Sequence, residues 1–241
     1  MQLFYQPTID KQDSEFTFDK IESRHIVRVL RKKEGDLLHI TNGKKLLVTA
    51  KILDAHDKKC RVQLLDFTLQ DNQKPFKLCV AIAPTKSNER FEWFLEKATE
   101  IGIDEIYPIR CKHSERKVIK PERLQKVLIT AMKQSLHFQL PVLHNLQDFK
   151  DFIHLHKSYD KFIAYCENEQ VTSSRNALQT RLKPQKDVCI LIGPEGDFSQ
   201  EEIALALENG FIPVSLGTAR LRTETAGIVA VHTVHLLNDS I

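Results

Sequence analysis

The sequence is short of the residues that usually announce chemistry or compartment. Eight glycines, two methionines and one tryptophan occur in 241 residues, and none of the five cysteines forms a C-x-x-C pair. Cys60, Cys79, Cys111, Cys166 and Cys189 are scattered and mostly sit inside apolar runs. They read as reduced core thiols of a cytoplasmic protein, with no disulfide framework or zinc ribbon. Neither the phosphate-cradling G-x-x-x-x-G-K-S/T nor the dinucleotide G-x-G-x-x-G is present, so nucleotide hydrolysis and ordinary NAD chemistry lack their usual hardware. Without H-E-x-x-H or G-x-S-x-G, metalloprotease and serine hydrolase chemistry are equally unsupported. An excess of one charge is missing too: 35 Lys and Arg face 32 Asp and Glu, a net +3. Bulk charge therefore names no partner, and clustering has to be read instead. No apolar run approaches transmembrane length, and the chain begins on strand-like Leu3-Phe4-Tyr5, so neither secretion nor membrane insertion is expected.

What is present divides into two patterns. Residues 1–70 read as a small β-rich domain with one helix. Asp19 can cap that helix, Ile26, Val27 and Leu30 supply its apolar side, and Arg24, Arg28 and Arg31 recur at i, i+4, i+7. That row is either a solvated helix face or a phosphate-contacting stripe. Three strands follow over 37–41, 46–53 and 60–69, joined by an Asn42-Gly43 hairpin signal and a polar turn. The polar stretch QDNQKPFK (70–77) separates this unit from the next, with 71–77 as linker.

From 78 to 241 strands alternate with helices, which implies a mostly parallel α/β sheet covered on both faces. A helix after Ser87 places Phe91, Phe94, Leu95, Ala98 and Ile101 on one side and ends at Gly102. Pro121 opens another, a shorter one is expected over 146–154, and 171–186 has no periodicity. The loop CKHSERKVIKPER (111–123) concentrates basic residues. His232 and His235 lie one helical turn apart, but no carboxylate or cysteine partner joins them, so helix packing or surface exposure is favoured over a shared metal.

The glycines are not evenly spread. Five of the eight fall within 188–232, where VCILIGPEGDFSQEEIALALENG runs into FIPVSLGTARLRTETAGIVAVH. Two strand-to-helix units lie side by side there, over 188–192 and 214–216, with Ser199 and Glu202 as a capping box and Thr223 as cap of the last helix. Their loops should emerge at the carboxyl ends of strands, where open α/β sheets bind ligands. Gly193-Pro194-Glu195-Gly196 and Leu216-Gly217 bring bare backbone to such a pocket, and Arg220 and Arg222 supply cations beside it. On spacing alone this is a nucleotide-like site, or two tight turns in an α/β core.

LIGPEGDFS followed by SLGTARLRTETAG resembles the signature of the RsmE family, the 16S rRNA (uracil-N3)-methyltransferases of the SPOUT superfamily. ESRHIVRVLRKKEGD (22–36), KSNERFEWFLEKATEIGIDEIYPI (86–109), HSERK (113–117) and AMKQS (131–135) resemble it in order and spacing. The resemblance implies a PUA-like β-barrel, then an α/β methyltransferase domain with its C-terminal part threaded into a trefoil knot. It also implies S-adenosylmethionine as cofactor, a homodimer, and methylation of N3 of one uridine in the decoding region of the small ribosomal subunit.

Carried over by position, the cofactor would be held by Ile192, Gly193, Pro194, Glu195, Gly196, Leu216, Gly217, Leu221, Arg222, Thr225 and Ala226. Arg222, then Arg220, would stabilise charge on the uracil carbonyls, and Glu195 or Glu224 would accept the N3 proton. Arg24, Arg28, Arg31, Arg116 and Lys117 would hold RNA phosphates, and no metal is expected. Two departures stand out: Leu136-His137 occupies a position where the family often has Gly-Arg, and Asp197 one where it often has Gly. A knotted methyltransferase acting on tRNA or another rRNA atom, and a non-catalytic RNA-binding assembly factor, are the alternatives.

Overall fold

A computed structural model describes residues 1–69, 74–155, 158–165 and 176–239. Part of the expected linker (70–73), Cys166 and the stretch 171–175 lie outside the described residues. The chain divides into two compact units, one of Met1–Gln73 with Met132–Leu140, the other of Lys74–Ala131 with Pro141–Ile241.

The first unit holds β1 (Leu3–Tyr5), β2 (Glu15–Thr17), α1 (Lys20–Arg24), β3 (Leu37–Thr41), β4 (Leu46–Asp54) and β5 (Arg61–Leu69). The strands order as β1-β3-β4-β5-β2, with β1 parallel to β3 and the other pairs antiparallel. The expected three-strand meander is β3-β4-β5. Alternation along β4 turns Leu46, Val48, Ala50 and Ile52 onto a core shared with Phe4, Ile26, Ile40 and Val62. Residues 132–140 join this unit through the hairpin end, where Lys45 N donates to Phe138 O at 2.8 Å and Leu140 N to Gly43 O at 2.9 Å.

Asp19 caps α1 as expected, accepting from Glu22 N at 2.8 Å. The helix then departs from the expected row of arginines. A π-helical turn covers His25–Val29, Leu30 N donating five residues back to His25 O, and Arg31 takes φ 55° beyond the helix end. The wider turn moves Arg28 off the row started by Arg24, and Arg31 leaves the helix, so the three do not form one regular stripe. All three are exposed. Arg28 is engaged by Asp57 through Nε at 3.0 Å and Nη2 at 2.8 Å, and this hydrogen bonding holds the Asp57 carboxyl below its usual range.

The second unit holds β6 (Leu78–Ile82), α2 (Asn88–Ile101), β7 (Glu105–Arg110), most of α3 (Pro121–Gln134), β8 (Val142–Leu143), β9 (Gln147–Asp148), α4 (Phe149–Phe152), β10 (Asp160–Ala164), β11 (Asn176–Ala177), α5 (Leu178–Arg181), β12 (Val188–Ile192), α6 (Gln200–Glu208), β13 (Ile212–Ser215) and α7 (Thr223–Asp239). Its strands are all parallel, in the order β11-β13-β10-β12-β6-β7-β8, with β9 alongside β7. Every residue of β6 and β12 is buried, as expected of parallel strands covered on both faces.

The short helix is one turn, α4, rather than the expected 146–154. Gln147 and Asp148 pair with β7 instead, and Arg110 grips Asp148 bidentately at 2.6 and 2.8 Å. The last helix also starts differently: Ala226 N donates to Arg222 O at 2.8 Å, so Arg222 rather than Thr223 holds the cap position.

From β6 the chain moves outward to β7, whereas from β12 it returns across β10 to β13. The crevice at the carboxyl ends of β6 and β12 is therefore a topological switch point. Helix α2 buries Phe91, Phe94, Leu95 and Ala98, the face read from spacing, and ends at Gly102 in the left-handed region, φ 115°. Helix α7 packs on α2 and β6 through Gly227, and His235 lies 3.1 Å from Gly102 O, its ring edge-on to Phe76. His235 thus has a packing role. At Gly227 a Cβ would stand 2.6 Å from Phe94 Cε2 and 3.1 Å from Ile82 Cδ1. Gly227→Ala should lower stability by about 1–3 kcal/mol through this overpacking, measured as a reduced denaturant midpoint.

Candidate active site

The loop leaving β12 is held on both sides. Ile192, Gly193 and Pro194 are buried, and Glu195 and Gly196 are exposed. Asp197 N donates to Pro194 O at 2.9 Å, closing a turn in which Asp197 takes φ 62°. Asp is among the few residues that tolerate that region, and its Oδ1 accepts from Phe198 N at 2.8 Å. The expected capping box is present: Glu202 N donates to Ser199 Oγ and Ser199 N to Glu202 Oε2, at 3.3 and 2.8 Å. The other carboxylate oxygen of Glu202 accepts from Lys112 N at 2.8 Å.

The basic loop 111–123 braces this turn. His113 Nδ1 lies 3.1 Å from Gly196 O and 3.0 Å from Asp197 O, which requires a proton on Nδ1. A Cβ on Gly196 would approach His113 Cβ to 3.0 Å, tighter than an ordinary contact, so glycine lets the two loops pass closely here. Arg116 donates from Nε to Thr85 O at 2.8 Å and from Nη2 to Lys86 O, while Glu195 Oε1 accepts from Lys86 N at 2.9 Å. Glu195 and Arg116 thereby fasten the loop after β6 to the loop after β12. Lys117 is exposed.

The loop leaving β13 is simpler. Ser215 Oγ donates to Gly217 O at 2.9 Å and accepts from Gly217 N at 3.2 Å. Gly217 has φ 138°, and among the described residues nothing lies within 4 Å of where its Cβ would be. Beside half-buried Leu216 it is exposed, with open space on its Cα side. Beyond it, Arg220, Leu221, Arg222, Glu224 and Thr225 line a cleft of about 580 Å³ whose other wall is Glu89, Arg90 and Trp93 of α2. Glu224 is its one buried wall residue, with an 8% exposed side chain and Oε1 3.8 Å from Arg90 Nε. Ala226 is half-buried one turn into α7.

The structure thus brings five expected residues, Arg220, Leu221, Arg222, Glu224 and Thr225, into one cleft, and places Glu195 in a different loop. Arg24, Arg28 and Arg31 belong to the other unit. Arg90, Trp93 and His113 were missed. The available signal was the only tryptophan of the chain, three residues after an arginine on the face of α2 opposite its apolar side. No cysteine lines the cleft among the described residues, and burial pushes the Cys60 thiol up to about 11 and raises those of Cys79 and Cys111 as well. Among the described residues no His, Cys, Asp and Glu group could hold a metal.

Comparison with known proteins agrees with this architecture. Residues 72–235 match the RNA methyltransferase domain family, and residues 18–65 the RNA methyltransferase PUA domain. A ribosomal RNA small subunit methyltransferase E from Buchnera aphidicola is 30% identical over 225 residues, covering 90% of this chain and 87% of that protein. A Porphyromonas gingivalis crystal structure described as a probable rRNA-methyltransferase is 42% identical, with TM-score 0.92 over 100% of this chain and 99% of that one. A Legionella pneumophila protein solved in complex with S-adenosylmethionine is 28% identical, with TM-score 0.85 over 98% and 97% of the two chains. With one domain model spanning most of its length and relatives aligned nearly end to end, this chain belongs to the RNA methyltransferase family that includes the ribosomal RNA small subunit methyltransferase E proteins.

Proposed function

We propose that this protein transfers a methyl group from S-adenosylmethionine to N3 of a uridine in 16S rRNA of the small ribosomal subunit. One observation carries the reading: bare-backbone loops end β12 and β13, with arginines on the second, in a chain whose relatives are named for small-subunit rRNA methylation. The loops fit the cofactor. Gly217 leaves open space beside the loop after β13, Gly196 packs closely on His113, and the switch-point crevice is where α/β sheets take such ligands. Residues 192–196, 216–217, 221 and 225–226 would hold it, with Arg222 contributing only its backbone, and when bound it supplies a methyl group on a sulfonium.

The protein's own contribution is positioning and charge. Uridine N3 carries a proton between two carbonyls, and its removal places negative charge on O2 and O4. Arg222, with Arg220 beside it, stands in the cleft to stabilise that charge as an oxyanion hole does. Glu195 or Glu224 accepts the proton. A target base in a structured rRNA loop can be unstacked to reach such a cleft. Exposed Arg24, Arg31 and Lys117 supply phosphate contacts, with Arg28 and Arg116 partly engaged by Asp57 and by backbone. The placement of β12 between β6 and β10, with β13 beyond, supports a trefoil-knotted fold. Homodimeric assembly and a cytoplasmic location complete the proposal.

Methyl transfer to small ribosomal subunits from cells lacking the gene tests the activity. Arg222→Ala should lose about 10²–10³ in turnover while calorimetric affinity for S-adenosylmethionine stays within a few-fold. Equal loss of both would make Arg222 a cofactor-pocket residue. Arg24→Ala should weaken RNA binding and lower the slope of log affinity against log salt by about 1. Arg116→Ala, which unfastens the loop after β6, should instead weaken S-adenosylmethionine binding and leave that slope unchanged.

A further inference from the structure

The cleft between α2 and residues 220–225 contains a carboxylate that the fold does not complete. Glu224 is more than nine-tenths buried, and its Oε2 has no hydrogen-bond partner among the described residues. Its Oε1 lies 3.8 Å from Arg90 Nε, near enough for attraction and too far for a hydrogen bond. Buried carboxylate oxygens are ordinarily paired, and one left without a donor is destabilising unless something else supplies it. The other candidate acid is not in this condition: Glu195 is exposed, is engaged by Lys86 N and does not line the cleft.

The neighbours of Glu224 define what that donor would be. Arg90 on α2 and Arg220 and Arg222 on the facing loop line the same cleft as this buried carboxylate, so two guanidinium donors and one acceptor can meet a ligand there. The imide edge of uracil complements that set, with O2 and O4 as acceptors flanking the N3 hydrogen. Cytosine would turn an N3 lone pair toward the carboxylate and an amine toward a guanidinium. Trp93, 43% exposed on the same wall, offers an aromatic face for an unstacked base. The cleft of about 580 Å³ has room for a nucleotide.

We propose that this cleft receives the imide edge of the target uracil, with Glu224 taking the N3 proton, Arg90 and Arg222 facing the two carbonyls, and Trp93 stacking on the ring. The inference rests on the methyltransferase reading and deepens it by choosing the acid and by giving the site a means of telling uracil from cytosine. The N3–H bond breaks, its proton moves to the Glu224 carboxylate, and the electron pair stays on N3 as the nucleophile, delocalised onto O2 and O4. The carboxylic acid returns its proton to solvent after release.

Trp93 is the only tryptophan, so its fluorescence reports the cleft without cofactor or turnover. A short single-stranded adenosine oligomer with one central uridine should quench it at lower concentration than the same oligomer with cytidine. Glu224→Gln should erase that preference, since an amide can serve either base, while S-adenosylmethionine affinity and melting temperature hold. In methyl transfer to small ribosomal subunits, Glu224→Gln should fall by about 10²-fold or more at neutral pH. The deficit should shrink as pH rises toward the imide's own ionisation; Arg90, Arg220, Arg222 and Glu89 are the charged groups that line the cleft with Glu224. If the wild type neither binds S-adenosylmethionine nor methylates subunits, the methyltransferase reading fails. An active wild type whose Glu224→Gln variant matches it within a few-fold overturns the inference alone. So does equal quenching by both oligomers, or RNA binding without quenching, which would give the cleft another occupant such as a second copy.

Discussion

His113 stands between the carbonyls of Gly196 and Asp197, and Arg116, three residues on, holds the carbonyls of Thr85 and Lys86. The backbone of the turn after β12 is therefore fixed by side chains from a different loop, and Glu195 closes the arrangement by accepting from Lys86 N. Without these contacts a Gly-Pro-Glu-Gly turn would have many conformations and would lose much of its binding energy in ordering. The bare backbone that makes the turn useful also makes it soft, and the clamp resolves that conflict. The proposed cofactor pocket would depend on this clamp, and so would the roles proposed for the arginines beyond β13.

A basic run such as 111–123 has two uses in this fold. Lys112, His113 and Arg116 meet Glu202, Gly196 and Thr85, while Lys117 remains exposed. Composition treats these residues as one cluster, whereas geometry separates bracing groups from those open to a polyanion. The first unit shows a similar split: Arg28 is paired with Asp57, and the π-helical turn separates it in direction from Arg24.

Features with a local cause were legible in the sequence. The Asp19 cap, the Ser199 capping box, the apolar face of α2 and the β3-β4-β5 meander follow from side chains acting within a few residues of themselves. The loops after β12 and β13 were visible because glycine is scarce elsewhere. Features with a distant cause were hidden. Gln147 and Asp148 leave a helical pattern because β7 offers pairing, and residues 132–140 join the first unit because the β3-β4 hairpin end accepts their backbone. Leu136 and Asp197 take φ 56° and 62°, conformations that favour the glycine suggested by the family resemblance, and nothing in either residue's own chemistry announces this. The α2 wall of the cleft escaped for the same reason: Arg90 and Trp93 gain meaning only when the loop 220–225 stands opposite them.

The central claim is that a backbone-lined pocket and an arginine-bearing cleft together methylate one uridine of the small-subunit rRNA. Nucleoside mass spectrometry of 16S rRNA from cells with and without the gene tests it most directly. 3-Methyluridine should disappear from the deletion strain and return when the intact gene is restored. Its persistence at the wild-type level in the deletion strain would contradict the account.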